Sequence, residues 1–328
     1  MDTCYAALDD RVLVGDGSSW TERLRGRDIE CVAAAHEAPD RAFVGTVGSG
    51  LQRTTDGGET WRSVEPPSTE RALGGGDRVT SVTVSPHDPD VVWAGTEPSA
   101  VYRSMDGGET WTEREGLTDL DSESNWAFPP RPHTHHVRWI ALAPDDPEQL
   151  YVAIEAGAFV RSPDGGETWI DRPDGGRRDN HTLAVHPDAP SRVYTAAGDG
   201  YAQSEDRGAT WTYPQGGLDH RYVWGLAVHP DDPDCVVVSA AHGPQSAHST
   251  SGQSYVYRRT GDEWDVAMDG LPDPNGLARP VLSADSDGDG FLALTNRGLF
   301  RSGDGATWES IGSWDDDYEQ VPRGLAVV

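Results

Sequence analysis

An eight-residue pattern, clearest at 104–111 (Ser-Met-Asp-Gly-Gly-Glu-Thr-Trp), returns along the whole sequence. Close copies and shortened copies that keep the final Trp bring the total to seven; the others are 16–20, 54–61, 162–169, 204–211, 262–264 and 302–308. Glycine permits the positive φ of a tight turn, the Asp carboxylate accepts hydrogen bonds from turn amides, and the Trp begins the returning strand. The pattern therefore predicts seven hairpins in a repeat fold.

Each hairpin ends a unit that reads as four short strands, with a Pro-Asp turn between the first two. The seventh unit is split, because 323–328 resembles a first strand and 1–26 contains the later ones. Joining the two ends completes a ring and removes exposed sheet edges. We predict an all-β fold, a seven-bladed β-propeller of four-stranded blades closed by this split blade, with 1–328 as one domain. The predicted blades are 27–66, 77–117, 136–174, 180–218, 222–271, 278–313, and 321–328 plus 1–26.

Aligning the seven first strands on their Pro-Asp turns gives one aliphatic position and, two residues earlier, a polar one. The aliphatic position holds Val32, Val82, Ile140, Leu183, Leu226, Val281 and Leu325. The earlier position holds Glu30, Thr80, Arg138, His181, Trp224, Arg279 and Arg323. We expect these first strands to line the axis, with a polar ring at the end where they begin.

The two faces of the ring should differ. Hairpins and Pro-Asp turns share one face, because strand direction alternates within a blade, and irregular loops occupy the other. Seven of the eleven histidines map to the irregular-loop face, namely His133, His135, His136, His181, His220, His242 and His248. Functional sites on repeat scaffolds concentrate on such variable loops, so this face is the predicted site.

Segment 131–139 is the densest part of that face. A divalent metal ion could be bound by His136, Glu155, His181 and His220, arriving from neighbouring blades. The same histidines could instead form a hydrogen-bonded or anion-contacting cluster. A histidine held by Asp179 or Glu155 could also act as a general base. The sequence leaves these three interpretations open, and it indicates no other cofactor.

Glu97 and Glu155 occupy the same position, the end of the second strand, in neighbouring blades. Together with His181 they are the candidate catalytic residues, since paired carboxyl groups can divide into acid and base where their environments differ. A salt-bridged rim facing the arginines is the alternative.

Converging arginines indicate a pocket for a carboxylate or phosphate group, which guanidinium binds bidentately. The ligand would be an anionic small molecule or a glycan. The candidate ligand-binding residues are Arg78, His135, His136, Arg138, His220, Tyr222, Trp224, His242, Arg279 and Arg323.

The chain carries 26 basic side chains, all arginine, against 55 acidic ones, giving a formal charge of −29 and a pI of about 4.5. A carboxylate-rich surface is typical of a high-salt cytoplasm, where salt screens its self-repulsion. It argues against nucleic acid as a partner, because phosphate binding needs a basic surface. The N-terminus has no leader pattern and no stretch is apolar enough for a membrane span, so we expect a cytoplasmic protein without a membrane partner. A protein partner stays open.

The repeated Ser/Thr-x-Asp-Gly-x-x-Thr-Trp pattern resembles the Asp-box, or BNR repeat, of sialidases and related β-propellers. Over its whole length the chain is similar to BNR-repeat glycosyl hydrolase-like proteins of haloarchaea. The resemblance implies the propeller fold, and three of the converging arginines would correspond to a sialidase carboxylate clamp. The Phe/Tyr-Arg-Ile-Pro segment of sialidases is absent, and Tyr222 matches the nucleophile by position alone. Two functions are therefore expected: ligand binding, or hydrolysis using Glu97, Glu155 and the histidine cluster.

Overall fold

Seven antiparallel sheets arranged around a central axis make up the protein. The computed structural model describes residues 3–64, 78–285, 290–314 and 320–328. Alternating aliphatic residues make each strand two-faced, and sheets of this kind pack face to face around the ring. The predicted seven-bladed, all-β propeller is confirmed. The predicted blade limits at 66 and 77, and segment 286–289 within the sixth blade, lie outside the described residues.

Blades are numbered here by the order of their innermost strands. Blade 1 contains Asp28–Ala34 (β4), Ala42–Val47 (β5), Leu51–Thr54 (β6) and Arg62–Val64 (β7). Blade 2 contains Arg78–Val84 (β8), Val92–Glu97 (β9), Val101–Ser104 (β10) and Thr112–Glu113 (β11). Blade 3 contains Val137–Ala143 (β12), Asp146–Ile154 (β13) and Ala158–Ser162 (β14), and blade 4 contains Asn180–His186 (β15), Ala189–Ala197 (β16) and Gly200–Ser204 (β17).

The remaining blades complete the circle. Blade 5 contains Tyr222–His229 (β18), Asp232–Ala241 (β19), Ser254–Thr260 (β20) and Trp264–Val266 (β21). Blade 6 contains Val281–Ala284 (β22), Phe291–Thr295 (β23), Gly298–Ser302 (β24) and Glu309–Ser313 (β25). Blade 7 joins Gly324–Val327 (β26) to Cys4–Ala7 (β1), Val12–Gly15 (β2) and Trp20–Arg23 (β3).

Blade 7 is the split blade that was predicted to close the ring. Strands β26 and β1 pair antiparallel, with Leu325 opposite Ala6, and β26 neighbours the inner strands of blades 1 and 6. The backbone of Val328 and Thr3 exchanges two hydrogen bonds, at 3.0 and 2.6 Å. The two ends of the chain therefore belong to one sheet and close the ring.

Blades 3 and 4 have an outer edge shorter than predicted. Their fourth strand is reduced to single bridges, Arg161 with Ile170 and Gln203 with Thr212. Pro173 and Pro214 follow these bridges within three residues. Proline has no N–H to donate to a ladder, so the pairing stops there.

The repeated turns share one hydrogen-bonding scheme. In blade 2, Asp106 Oδ1 accepts bonds from the backbone N–H groups of Glu109 (3.0 Å) and Thr110 (2.9 Å), while Thr110 Oγ1 donates to Asp106 Oδ2 at 2.6 Å. Asp56, Asp164 and Asp206 bind their Thr partners in the same way. Gly107 N–H also donates to Asp90 O at 2.8 Å, so hairpin and Pro-Asp turn meet on one face.

Apolar clusters fill the spaces between neighbouring blades. In one of them, Phe43 of blade 1 packs with Val82 and Trp111 of blade 2. Each of the seven clusters in the described part of the chain includes a hairpin Trp; these are Trp20, Trp61, Trp111, Trp169, Trp211, Trp264 and Trp308. The Trp of the repeat thus holds adjacent blades together.

The opposite face carries longer connections with short helices. Two 3-10 helices, Leu117–Asp119 and Asp121–Asn125, lie between blades 2 and 3, and Pro244–Ala247 (α1) follows β19. None of the helices that the structure describes has the length and apolar character to cross a bilayer.

Candidate functional site

A cavity of about 660 Å³ lies where the inner strands begin, on the face of the irregular loops. It is lined by strand starts and by the loops that precede them: Asp28, Glu30, Arg78, Thr80, Phe128, Pro129, Pro130, Arg131, His136, Arg138, Glu155, Asp179, Tyr222, Trp224, Pro244, Gln245, His248 and Arg323. Four of these are arginines and four are carboxylates. Because the whole chain has a formal charge of −29, equal numbers of arginines and carboxylates in the lining mean that arginine is enriched there.

Glu97, at the end of β9, lies behind the cavity wall and is held by two arginines that line the cavity, Arg78 and Arg131. Arg131 donates to both carboxylate oxygens, Nε to Oε1 at 2.7 Å and Nη2 to Oε2 at 2.6 Å. Arg78 Nε lies 3.5 Å from Oε2 and also donates from Nη1 to Glu30 at 2.9 Å. Burial by itself would raise the pKa of Glu97, but the bonds and charge of Arg131 outweigh it and lower that pKa.

Glu155 follows β13 in the next blade and lines the cavity. Its Oε2 lies 3.0 Å from His136 Nε2 and 3.7 Å from Arg138 Nε. Burial opposes ionisation, yet the contact with His136 and the charges of His136, His181 and Arg138 lower the pKa of Glu155 below its usual range. His136 also faces Glu97, with Nδ1 4.0 Å from Oε2, and so lies between the two carboxylates.

The pKa values of Glu97 and Glu155 are shifted in the same direction. A general acid needs a raised pKa, so that it is protonated near neutral pH. Glu97 and Glu155 both have lowered pKa values and stay ionised. Burial raises the pKa of Tyr222, and the nearby Glu155 and Asp179 raise it further, which disfavours the phenolate that a nucleophile would need.

His181 begins blade 4 and is completely buried. Its Nδ1 donates to Val223 O at 2.7 Å, because a carbonyl oxygen can only accept. Its Nε2 lies 3.6 Å from Asp179 Oδ2, beyond hydrogen-bonding distance. The ring is fixed between Trp224 (4.3 Å between centroids) and Tyr222 (5.0 Å).

Trp224 is also stacked with two guanidinium groups. The guanidinium carbon of Arg279 lies 4.1 Å from the indole centroid and that of Arg138 lies 4.8 Å away. Arg279 is fully buried behind the cavity, donating to Pro322 O at 2.7 Å and to His248 Nδ1 at 3.3 Å. Burial, and after it the positive charge of Arg279, keep His248 neutral and lower its pKa to about 2. Arg138 lines the cavity, and none of the described residues accepts a hydrogen bond from its guanidinium.

The predicted site residues separate into three groups. Arg78, His136, Arg138, Glu155, Tyr222, Trp224 and Arg323 line the cavity, while Glu97, His181 and Arg279 lie directly behind its wall. Arg323 donates to Asp9 at 2.7 Å.

The third group is His135, His220 and His242, which neither line the cavity nor lie directly behind its wall. His220 contacts His242 (Nε2 to Nε2, 3.2 Å) and Tyr257 instead of joining Glu155 and His181. His135 packs on Trp126 and lies 3.3 Å from Glu123. The path of the loops explains the positions of His220 and His242. His220 lies just before β18 and His242 just after β19, outside the strand starts that reach the axis.

The sequence analysis did not assign a ligand role to Asp28, Phe128 or Asp179. A signal for two of them exists. Alternation along a strand predicts that residues two positions before the polar ring lie on the same side as the ring, although the structure has a register shift at the ring position in blades 1 to 4. That register holds Asp28, Arg78, His136, Asp179, Tyr222, Leu277 and Val321, and the first five line the cavity. Phe128 has no such signal, since it comes from an irregular loop.

Together these features define the class: a seven-bladed β-propeller, closed by a split blade, with a polar cavity at one end of its axis. No model of a known protein family and no curated protein matches the sequence. Solved structures do match. A GH74 enzyme from Niastella koreensis superposes with a TM-score of 0.68 at 16% identity, over 95% of this chain and 52% of that one.

An ancestral GH74 enzyme gives a TM-score of 0.64 at 16% identity, over 99% of this chain and 39% of its own. YCF48 from Cyanidioschyzon merolae gives 0.58 at 15% identity, over 86% and 84%, and YCF48 bound to D1 peptide gives 0.57 at 16%, over 90% and 86%. The chain thus spans 52% or less of these two GH74 enzymes. At identities this low, the superpositions show a shared fold alone.

Proposed function

We propose that this chain is a ligand-binding propeller whose cavity takes an anionic small molecule or an acidic glycan. The observation that carries the proposal is Arg138. Its guanidinium is stacked on Trp224 and lies in the cavity wall; it forms an ion pair with Glu155 at 3.7 Å but has no hydrogen-bond acceptor in the described part of the chain. A carboxylate would supply two acceptors in the planar geometry that guanidinium matches.

The surrounding residues support the same ligand class. Arg78, Arg131 and Arg323 add positive charge, although each is already paired with a carboxylate. Phe128, Tyr222 and Trp224 add aromatic surface beside polar groups, the mixture that small-molecule pockets use for affinity and orientation. A carboxylated sugar offers both a charged group and an apolar ring face.

The test is a calorimetric titration of the full chain with glucuronate and galacturonate, and with glucose as the neutral comparison. We expect the acids to bind and glucose to bind more weakly. Arg138→Gln should weaken acid binding by about 10- to 100-fold, because a hydrogen bond to a charged group is lost. Arg25→Gln is the matched control, since Arg25 is exposed and does not line the cavity. Equal affinity of Arg138→Gln and the parent would refute the assignment.

Hydrolysis is the second candidate function, and the position of His136 between Glu97 and Glu155 favours it. A proton carrier between two carboxylates is an arrangement that acid-base chemistry can use. The fold is shared with GH74 enzymes, and the YCF48 complex shows a related propeller with a peptide. Appearance of new reducing ends during incubation with acidic oligosaccharides would favour hydrolysis; displacement of the sugar by peptide would favour a protein partner.

A further inference from the structure

Glu155, Asp179 and His181 come together where blades 3 and 4 meet at the cavity. A carboxylate oxygen of each acid and a ring nitrogen of His181 all lie within 4.8 Å of one another. Glu155 and Asp179 line the cavity, and His181 lies behind them with no exposed surface. The cluster therefore combines one fully buried nitrogen with two oxygens that face the open space.

The hydrogen bonds of His181 decide what its second nitrogen presents. Nδ1 carries a proton, because it donates to Val223 O at 2.7 Å. In the neutral ring, Nε2 then carries a lone pair. This atom is buried and has no hydrogen-bond partner, and it points at Asp179 Oδ2, 3.6 Å away. A lone pair facing a carboxylate is repulsive unless a cation or a proton lies between them.

The two carboxylates are also oriented for this role. Asp179 Oδ1 accepts a bond from Ala156 N–H at 2.9 Å, which leaves Oδ2 turned to the histidine. Glu155 Oε2 is held by His136 Nε2 at 3.0 Å. A carbonyl on the far nitrogen of the histidine and hydrogen bonds on the carboxylates are the contacts that orient metal ligands in proteins.

We propose that Glu155, Asp179 and His181 bind one divalent transition-metal ion at the wall of the cavity. One nitrogen and two carboxylate oxygens suit zinc, cobalt or manganese. The 3.6 Å between Nε2 and Oδ2 is close to the roughly 3.4 Å that two ligands of a tetrahedral zinc ion span. The remaining positions would face the cavity. His136 acts as the partner of Glu155, and His220 has no part in this set.

The test is metal binding by the full chain, with no organic ligand present, so that its outcome is independent of the proposed sugar site. Protein stripped with a chelator is dialysed against a small excess of Co²⁺ or Zn²⁺ in high KCl, which screens surface carboxylates. We expect about one ion per chain and a visible Co²⁺ absorption band from a low-symmetry site. Asp179→Asn keeps a side-chain oxygen that can accept the hydrogen bond from Ala156 N–H, and it removes the negative charge. This variant should bind the metal ion about 10- to 100-fold more weakly.

Asp28→Asn is the matched control, because it removes the same charge from the same cavity away from the cluster. It should retain the ion and the absorption band. His181→Gln should abolish the band, with circular dichroism to establish that the variant is folded. Absence of metal in the parent overturns the proposal. Binding of the metal ion by Asp179→Asn with the same affinity as the parent overturns the proposal as well.

Discussion

Arginine has two different uses in this chain. On the face of the repeated turns, arginines tie neighbouring blades together: Arg41 of blade 1 donates to Asp90 of blade 2 at 2.8 Å, and Arg103 of blade 2 to Glu148 of blade 3 at 2.8 Å. Such exposed pairs contribute little individually. In the cavity, Arg138 is stacked and forms an ion pair with Glu155 at 3.7 Å, with no hydrogen-bond acceptor in the described chain, so its hydrogen-bonding capacity remains for a ligand.

The Asp of each repeated turn should make stability depend on acid pH. Hydrogen bonds from Thr110 to Asp106 lower the pKa of that carboxyl group to about 2, from an ordinary 3.8. Because the folded pKa is the lower one, the stabilisation is present above about pH 4 and is lost as pH falls towards 2. Asp106→Asn should lower the melting temperature by about 2 °C at neutral pH, since the bond from Thr110 Oγ1 is lost.

Scanning calorimetry from pH 7 down to pH 2 measures this effect. The gap between Asp106→Asn and the parent should narrow below about pH 4, where the parent carboxylate begins to be protonated. Asp119→Asn, in the loop on the other face, is the control and should leave the melting temperature unchanged. A gap that stays constant down to pH 2 would contradict the role of the charge.

Among the secondary-structure elements, the repeated hairpin is the most constrained. Gly108 has a φ of +86°, and a Cβ there would lie 2.5 Å from Cε1 of the buried Phe43 in the neighbouring blade. Gly26 has a similar φ of +76° but open space around it. Comparing the two separates backbone strain from steric overlap.

We expect Gly26→Ala to cost about 1 kcal/mol for its left-handed backbone, and Gly108→Ala a further 1–3 kcal/mol or so for the displaced ring. Urea unfolding of the two variants beside the parent gives both values. Equal losses would show that Phe43 moves aside without penalty and that the hairpin is not locked to the next blade.

The inner strands and hairpins could be predicted from the sequence because they repeat. Val32, Ile140 and Leu226 recur at one register, so Arg138 and Trp224, two residues before Ile140 and Leu226, could be placed at the same end of the axis. Phe128 and the bidentate bond of Arg131 to Glu97 could not, since both depend on how one irregular loop folds over the cavity. The shortened outer strands of blades 3 and 4 do not follow from the repeat, because Pro173 and Pro214, which end the pairing, lie outside the repeated pattern.

For the molecule as a whole, charge should govern stability. A formal charge of −29 repels itself, and the distance over which exposed charges interact falls from about 10 Å at 0.1 M salt to about 3 Å at 1 M. We therefore expect the melting temperature to rise between these KCl concentrations at pH 7. Repeating the measurement at pH 5, closer to the pI of about 4.5, is the control, and there the rise should be smaller. An equal rise at both pH values would assign the effect to hydrophobic burial instead.

The pairing of β26 with β1 also dictates the order in which this protein can be completed during synthesis. Strands β1, β2 and β3 leave the ribosome before the other six blades, yet their inner neighbour is made after all of them, as the bond between Asp10 and Gln320 across 310 residues illustrates. Until then β1 presents an unpaired edge to every other nascent chain nearby. Contacts between such distant residues are slow to form, so the nascent protein passes through a long interval as an open ring. Chaperone capture or aggregation in the cell would act during that interval.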